Sequence, residues 1–230
     1  MKVLGITAAR GGSKGVPRKN VRDLGGIPLI AHTLLEVANK CKMMDAYCVA
    51  TEDEEIARIA GEYAVPVVML PEHLTTDTSP LLPALQHAIE EMEWLNEVHY
   101  DIIADLRCTN PFKLASDIDG AIDKLIRTDA DAVIGVTVVE DHHPSRLKRI
   151  FRDRLVDIWP EPRSGLRQDL RPEVYVRNGA IYIVKREALD AGIHIKASDD
   201  VRPWIMPPER SLNIDTPTDF LLAEVLYEKR

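Results

Sequence analysis

Apolar and polar positions follow two alternating spacings along this chain, and the alternation predicts strands and helices in turn. Short apolar runs indicate buried strands, whereas apolar residues that recur every three or four positions indicate amphipathic helices. The predicted strands are Lys2–Ala9, Ala46–Ala50, Val65–Leu70, Tyr100–Leu106, Ala132–Val139 and Asn178–Val184. The predicted helices are Pro28–Cys41, Thr51–Tyr63, Pro83–Val98, Ser116–Ile126 and Thr216–Tyr227. This order favours an α/β fold, a mostly parallel sheet with helices on both faces.

The alternation breaks off between residues 141 and 177. This segment carries many charges and two short strand-like stretches, Leu147–Phe151 and Leu155–Trp159. We interpret it as an insertion in a single domain spanning residues 1–230, and we expect a β-rich arm used in dimerisation. His142 and His143 lie at its start. Because no further ligand follows at a suitable spacing, we expect an exposed histidine pair rather than a metal site.

Composition restricts the compartment and the partners. Hydrophobic residues make up 45% of the 230 residues, which suits one large domain with a buried core. Three cysteines, Cys41, Cys48 and Cys108, form no CxxC pair, and this favours a reducing compartment. No stretch approaches the roughly 20 apolar residues of a membrane span. We therefore expect a cytoplasmic protein that has no membrane partner.

Charge is distributed unevenly. With 29 basic and 37 acidic side chains, the formal net charge of −8 disfavours nucleic acid as a partner. The first 22 residues, however, hold six cations and no acid, which leaves 23 cations against 37 acids in the rest of the chain. A local positive charge near the N-terminus indicates a small anionic ligand.

A glycine-rich loop, AARGGSKGVPRKN at residues 8–20, follows the first predicted strand. Glycines allow backbone amides to approach a ligand closely, and ligands of open α/β sheets bind where strands end. The loop offers amides, a hydroxyl and mobile cations at Gly11, Gly12, Gly15, Ser13, Arg10, Lys14 and Lys19. The spacing matches neither GxxxxGK[ST] nor GxGxxG. We therefore predict a polyphosphate site of another kind.

A carboxylate precedes the last predicted helix. Thr216 and Asp219 have the spacing of a capping box, and Pro217 occupies the favoured first helical position. Asp215 is thereby placed just before a helix N-terminus, where the helix dipole favours negative charge. Such a carboxylate beside a triphosphate suits Mg²⁺, which keeps waters and phosphate oxygens as its other ligands. Asn213 could add an amide oxygen.

Five segments, in order along almost the whole chain, resemble the signatures of the acylneuraminate (CMP-sialic acid synthetase) cytidylyltransferases. They are Ala8–Asn20, Leu24–Ile30 (LGGIPLI), Ala50–Ala57 (ATEDEEIA), Asn178–Ile183 (NGAIYI) and Ile214–Pro217 (IDTP). The resemblance implies a Rossmann-like nucleotidyltransferase fold, CTP and an acidic sugar as substrates, Mg²⁺ as cofactor, and a homodimer.

The resemblance also implies roles for individual residues. The nucleotide would be bound by Ala9, Arg10, Gly11, Gly12, Ser13, Lys14, Lys19, Asn20 and Asp77. Within this set, Arg10, Lys14 and Lys19 would hold the triphosphate as catalytic residues, together with Asp215. Asp215 and Asn213 would hold the metal. The sugar would be bound by Arg107, Arg167, Gln168, Asn178 and Tyr182.

Three departures from the family pattern leave alternatives open. The family's LQPTSPLR reads LRCTNPFK here, so that Arg107 replaces a glutamine that faces the sugar. Leu70 replaces an arginine near the expected cytosine site, and Asn213 replaces an aspartate. The first two departures keep open another nucleoside triphosphate or a divergent acceptor, such as an eight- or nine-carbon α-keto acid. The third keeps open a nucleotide-binding protein without catalysis.

Overall fold

A computed structural model describes residues 1–13, 15–139, 141–163, 166, 169–192 and 200–229. The predictions that fall on Lys14, Arg167 and Gln168 lie outside these residues.

Eleven strands and six helices make up the described part of the chain. The strands are β1 (Val3–Ala8), β2 (Asp23–Leu24), β3 (Ile27–Pro28), β4 (Ala46–Thr51), β5 (Val67–Met69), β6 (Ile102–Leu106), β7 (Ala132–Val138), β8 (Lys148–Phe151), β9 (Arg154–Asp157), β10 (Tyr175–Lys185) and β11 (Val201–Ile205). The helices are α1 (Leu29–Lys40), α2 (Glu54–Glu62), α3 (Leu81–Asn96), α4 (Ala115–Thr128), α5 (Arg186–Asp190) and α6 (Pro217–Glu228). None of these helices has both the length and the apolar character needed to cross a membrane.

Seven strands form one sheet in the order β11-β7-β10-β6-β1-β4-β5. β1 runs parallel to β4 and β6, and β4 runs parallel to β5. β10 runs antiparallel to both of its neighbours, β6 and β7, while β11 is parallel to β7. The predicted α/β class with a mostly parallel sheet is therefore confirmed.

Side chains alternate between the two faces of the sheet along each strand, and helices cover both faces. In β1, Val3 packs on one face with residues of α1, α2 and α4, whereas Leu4 and Ile6 pack on the other with residues of α3. A third cluster, which includes Leu24 and Phe220, joins α6 to the small β2–β3 hairpin. α6 is thereby fixed against the loop region that follows β1.

The 141–177 segment contains a separate two-stranded hairpin, β8–β9, in which Ile150 lies opposite Leu155. The two predicted strand-like stretches of this segment thus correspond to real strands, while their part in dimerisation stays a prediction. The expected exposure of the histidine pair is wrong for His143, which is buried. Its Nε2 donates to the carbonyl of Pro172 at 3.0 Å and its Nδ1 contacts Ser145 Oγ.

Two further differences concern single elements. β11 was not expected from the sequence, because its residues VRPWI contain a proline and a charge. α2 begins at Glu54 rather than at Thr51, and its N-cap is Asp53, which accepts hydrogen bonds from the amides of Glu55 and Ile56. Thr51 ends β4 instead, and its Oγ1 accepts a hydrogen bond from the Asp53 amide.

Candidate active site

A cavity lies at the edge of the sheet where the parallel strands β1 and β6 end. β4 and β6 lie on opposite sides of β1, so the strand order reverses at β1. Open α/β sheets bind ligands at the carboxyl ends of the strands next to such a reversal. The cavity has a volume of about 440 Å³, which is in the range of small-molecule sites. Its walls come from the segments that follow β1, β5 and β6 and from the segment that precedes α6.

Most of the predicted site residues meet in this cavity. Its lining includes Ala9, Arg10, Gly12, Ser13, Lys19, Asn20, Asp77, Arg107, Asn213 and Asp215. Gly11 lies beside the wall, and Asn178 and Tyr182 are buried behind it. The structure therefore brings the described members of the nucleotide set and the metal set together with one member of the sugar set, while the individual roles stay predictions.

Side-chain hydrogen bonds brace the glycine-rich loop. The buried Asn20 donates from Nδ2 to the carbonyl of Arg10 at 2.9 Å, and its Oδ1 accepts from the Cys108 thiol at 3.2 Å. The amide of Gly11 donates to Glu52 Oε1 at 2.8 Å. These contacts tie the loop to the residues after β6 and after β4.

Arg18 fastens the same loop to α2, a role that its sequence context does not predict. Its guanidinium forms ion pairs with Asp53 and Glu55. The hydrogen bond from Arg18 holds the pKa of the Asp53 carboxyl below its usual value, and it raises the pKa of Arg18. Nothing local in the sequence links an arginine to two acids about 35 positions away, so only the fold identifies the contact.

Lys19 and Asp215 form the charged pair at the entrance to α6. Lys19 is almost fully buried, and its Nζ donates to the carbonyl of Ile214 at 2.6 Å and to Asp215 Oδ1 at 3.1 Å. The expected capping box is confirmed, because the Thr216 amide donates to Asp219 Oδ2 at 2.7 Å and the Asp219 amide donates to Thr216 Oγ1 at 3.2 Å. Asp215 is thus held at a capped helix N-terminus.

Gly15 makes this arrangement possible through close packing. A Cβ atom at Gly15 would lie 2.0 Å from the carbonyl oxygen of Asp215. The glycine-rich loop and the segment before α6 therefore touch through backbone atoms, which only glycine permits here.

The donor set fits a magnesium ion that one carboxylate holds. Asp215 is 63% exposed and offers hard oxygen ligands, which Mg²⁺ prefers together with waters and phosphate oxygens. Asn213 is turned so that its Nδ2 donates to Asp215 Oδ2, while its Oδ1 accepts from Thr109 Oγ1 at 2.8 Å. Among the described residues, no cluster of three or more His, Cys, Asp or Glu side chains could hold a metal on its own.

Arg10 occupies another part of the wall. Its Nη1 lies 3.4 Å from Asp77 Oδ1 and donates to the carbonyl of Thr76 at 3.4 Å. Both side chains of the ion pair are about half exposed. A surface pair of this kind is weak. It can therefore open in exchange for an incoming phosphate, as a nucleotide-binding role for Arg10 and Asp77 requires.

Asn178 lies in an irregular stretch of β10, where the pairing with β7 shifts register between Arg177 and Tyr182. Its buried side chain donates to Ser211 Oγ at 3.0 Å and accepts from the amide of Ala180 at 3.1 Å. These contacts hold the shifted backbone in place. A direct contact with sugar would require this side chain to leave its present partners.

Lys113 is a buried cation next to the turn after β6, and its sequence context does not predict its role. Its Nζ donates to Thr33 Oγ1 at 2.8 Å and to the carbonyls of Arg107 and Asn110, each at 2.7 Å. Burial lowers the pKa of Lys113 from 10.5 to about 8. The ammonium group holds the turn that carries Arg107 into the cavity.

We predict a pH-dependent stability difference between the wild type and Lys113→Met. Between the folded and unfolded pKa values, the unfolded wild type binds more protons than the folded one, so its stability rises with pH relative to the variant. The difference in free energy of unfolding should shift by about 2 kcal/mol in favour of the wild type between about pH 7.5 and about pH 10. Urea unfolding at both pH values measures it.

Lys40→Met, at an exposed position on α1, controls for the loss of a lysine from the protein surface. A difference between wild type and Lys113→Met that stays the same at both pH values would contradict the lowered pKa.

The fold and the cavity define an α/β protein that offers amides and cations to a phosphorylated ligand next to a carboxylate. A family model described as cytidylyltransferase matches residues 4–230, and the chain belongs to this family. It is therefore a nucleotidyltransferase.

Individual relatives agree with this assignment. A CMP-N,N'-diacetyllegionaminic acid synthase of Legionella pneumophila is 32% identical over 237 residues, which cover 99% of this chain and 97% of that protein. An N-acylneuraminate cytidylyltransferase of Escherichia coli is 30% identical over 230 residues, which cover 100% of this chain and 53% of that protein. The resemblance inferred from the five sequence segments is thereby confirmed.

The fold has a counterpart among solved structures. A CMP:2-keto-3-deoxy-manno-octonic acid synthetase complexed with CTP has a TM-score of 0.69 at 19% identity, with 100% of this chain and 99% of that chain covered. At this identity the likeness shows the fold alone.

Proposed function

We propose that this protein transfers a cytidylyl group from CTP to an α-keto sugar acid of the nonulosonate type, which yields a CMP-sugar and pyrophosphate. One observation carries the proposal. A single cavity contains the cation-bearing glycine loop, the Lys19–Asp215 pair and the guanidinium of Arg107. Two anionic substrates, a triphosphate and a carboxylate, could thus be held side by side. The names of the relatives agree with this choice of acceptor.

In the proposed reaction, the oxygen of the anomeric hydroxyl bonds to the α-phosphorus of CTP. The bond from that phosphorus to the bridging oxygen breaks, pyrophosphate leaves with the electron pair, and the hydroxyl proton passes to solvent. The protein contributes by positioning the reactants and by placing charge in advance. Arg10 and Lys19 face the phosphates, and the loop amides add fixed dipoles.

Mg²⁺ would be held by Asp215, with a contribution from Asn213 if its amide turns. When bound, the ion neutralises charge on the phosphate oxygens. Lys19 has a separate task. It carries a positive charge in a nearly buried position, where electrostatic interactions are weakened less by water than at the surface.

The test is pyrophosphate release by purified protein with CTP, Mg²⁺ and a panel of sugar acids. The panel contains N-acetylneuraminic acid, N,N'-diacetyllegionaminic acid and 2-keto-3-deoxy-manno-octonic acid. We expect release with at least one acceptor, and formation of the matching CMP-sugar by mass spectrometry. If no member of a wider nonulosonate panel supports release, the proposal is wrong.

A second candidate is a nucleotidyltransferase that uses another nucleoside triphosphate. Leu70 favours it, because this buried side chain lines the cavity where the related pattern has an arginine. A ligand that binds the folded state raises its apparent stability, so thermal unfolding with CTP, UTP, GTP and ATP compares the four directly. Among the four nucleotides, CTP should raise the unfolding temperature most. Binding of CTP without pyrophosphate release would instead indicate a protein without catalysis.

We also propose that two copies associate through the β8–β9 hairpin. Ile150 and Leu155 are 77% and 75% exposed on opposing positions of the hairpin, and Phe151 and Trp159 add exposed apolar surface nearby. An exposed apolar surface of this kind marks an interaction site in a folded protein. A second copy of the chain would bury it.

We predict that the double substitution Ile150→Asp and Leu155→Asp converts a dimer into a monomer, because it places charges in the apolar contact. Light scattering after size-exclusion chromatography measures the mass of each species. Leu95→Asp, at a leucine on α3 that is 61% exposed, is the control and should leave the mass unchanged. A wild type that is monomeric, or a double variant that remains dimeric, would contradict the proposed association.

A further inference from the structure

Arg107 is the cation at the end of β6, and it departs from the glutamine of the related sequence pattern. Its Nε donates to Asp105 Oδ2 at 3.4 Å. Its Cζ lies 4.7 Å from the centre of the Tyr182 ring. Because Asp105 and Arg107 are two positions apart at the end of a strand, they fall on the same side of the sheet. The guanidinium is therefore held along one edge and against one face.

The opposite edge of this guanidinium is available to a ligand. Arg107 lines the cavity with its side chain 31% exposed, and its two terminal nitrogens make no hydrogen bond to any described residue. Two parallel N–H donors of an arginine match the two oxygens of a carboxylate. The geometry thus presents a fork for a planar anion at the cavity wall.

Asp105 places a carboxylate beside this guanidinium. It is fully buried in β6, where the other residues are apolar. A buried carboxylate is costly to keep charged unless a cation or several donors compensate it. Arg107 supplies a cation, and Asp105 in return fixes the side chain that reaches the ligand. The carboxylate and the guanidinium stabilise each other's placement.

We propose that Asp105 is a positioning residue for Arg107, and that Arg107 binds the carboxylate of the acceptor and so selects acidic over neutral sugars. This inference rests on the proposed function. The adjacent ring of Tyr182 serves as the platform on which the guanidinium lies. The predicted part of Tyr182 in sugar binding then becomes indirect, through Arg107.

The experiment compares wild type, Asp105→Asn, Arg107→Gln and the double variant. Calorimetry in the presence of CMP measures the binding of N-acetylneuraminic acid, of the other panel acids and of their methyl esters, which lack the negative charge. Steady-state kinetics with the preferred acid gives KM for the acceptor and for CTP. Asp105→Asn keeps the size of the side chain but removes its charge. Arg107→Gln lies at the cavity surface and tests the same point if Asp105→Asn fails to fold.

Wild type should bind its acid about 10 to 100 times more tightly than the ester, and Arg107→Gln should abolish this preference. Asp105→Asn should raise KM for the acceptor about tenfold while KM for CTP stays within about twofold. The double variant should be no worse than Arg107→Gln alone, because both changes remove one interaction.

Other results overturn the inference. Three results would each contradict the proposal that Arg107 binds the acceptor carboxylate and that Asp105 positions Arg107. They are equal losses of affinity for acid and ester, a rise confined to KM for CTP, and additive effects in the double variant. If wild type releases pyrophosphate and the variants match it, only this inference fails. If wild type binds none of the acids and releases no pyrophosphate, the proposed function fails with it.

Discussion

Replacing Lys19 with alanine should lower kcat/KM for pyrophosphate release by at least about 100-fold, the usual scale for a preorganised charge in a site. Lys19 Nζ is nearly buried and lies 3.1 Å from Asp215 Oδ1, so it places a fixed positive charge beside the candidate metal carboxylate. Its second hydrogen bond, to the carbonyl of Ile214, holds the segment before α6 in position. The variant loses both the charge and the positioning.

The measurement is a continuous pyrophosphate assay at several CTP concentrations. Lys40→Ala, at an exposed lysine of α1, is the matched control and should retain wild-type kinetics. Thermal unfolding must show that Lys19→Ala is folded. An unchanged rate in a folded variant would remove Lys19 from the mechanism.

Gly15→Ala should have the second large effect, on both stability and nucleotide affinity. The new Cβ would lie 2.0 Å from the backbone oxygen of Asp215, so the loop and the segment before α6 must move apart. Overpacking of this kind costs about 1–3 kcal/mol of folding free energy. Separation of the loop from Asp215 should also weaken CTP binding by at least about tenfold, because the two sides of the site no longer meet.

Two other glycines serve as controls for Gly15→Ala. A Cβ at Gly12, in the same loop, would meet no atom within 4 Å, so Gly12→Ala should leave the free energy of unfolding unchanged. Gly61 in α2 has equally open surroundings, and Gly61→Ala should keep wild-type activity and gain up to about 1 kcal/mol of stability. Urea unfolding and calorimetry with CTP give both quantities. A Gly15→Ala variant that matches Gly12→Ala in stability would show that the contact relaxes without cost.

Much of the fold could be predicted because its signals are local. Buried parallel strands are short apolar runs, and the helix that follows Asp215 begins with a capping box that is visible in four residues. β11 could not be predicted because Arg202 and Pro203 interrupt the apolar run that would indicate a strand. Among the described strands it lies at the edge of the sheet and pairs with β7 alone, and an edge strand tolerates a proline that a central strand would exclude. Its neighbours, rather than its own residues, make it a strand.

The candidate site divides in the same way. The glycine loop and Asp215 could be found because their residue types and local spacing carry the chemistry. The contacts that Arg18 makes with Asp53 and Glu55 could not, since they depend on where α2 packs. Asp105 did leave a signal, as an acid within an otherwise apolar run. Its contact with Arg107, and the ring of Tyr182 against that guanidinium, depend on the folded structure.

β10 joins two parts of the molecule that were described separately. Its first residue, Tyr175, belongs to the exposed end next to the arm, and seven positions later Tyr182 lies buried under Arg107. About 20 Å of β10 separates them, and the register shift between Arg177 and Tyr182 lies within this stretch. A second copy bound at the outer end, as proposed, would therefore contact the same strand that carries Tyr182. If two copies associate through the hairpin as proposed, association and acceptor binding would both depend on β10, and a change at one end could be felt at the other.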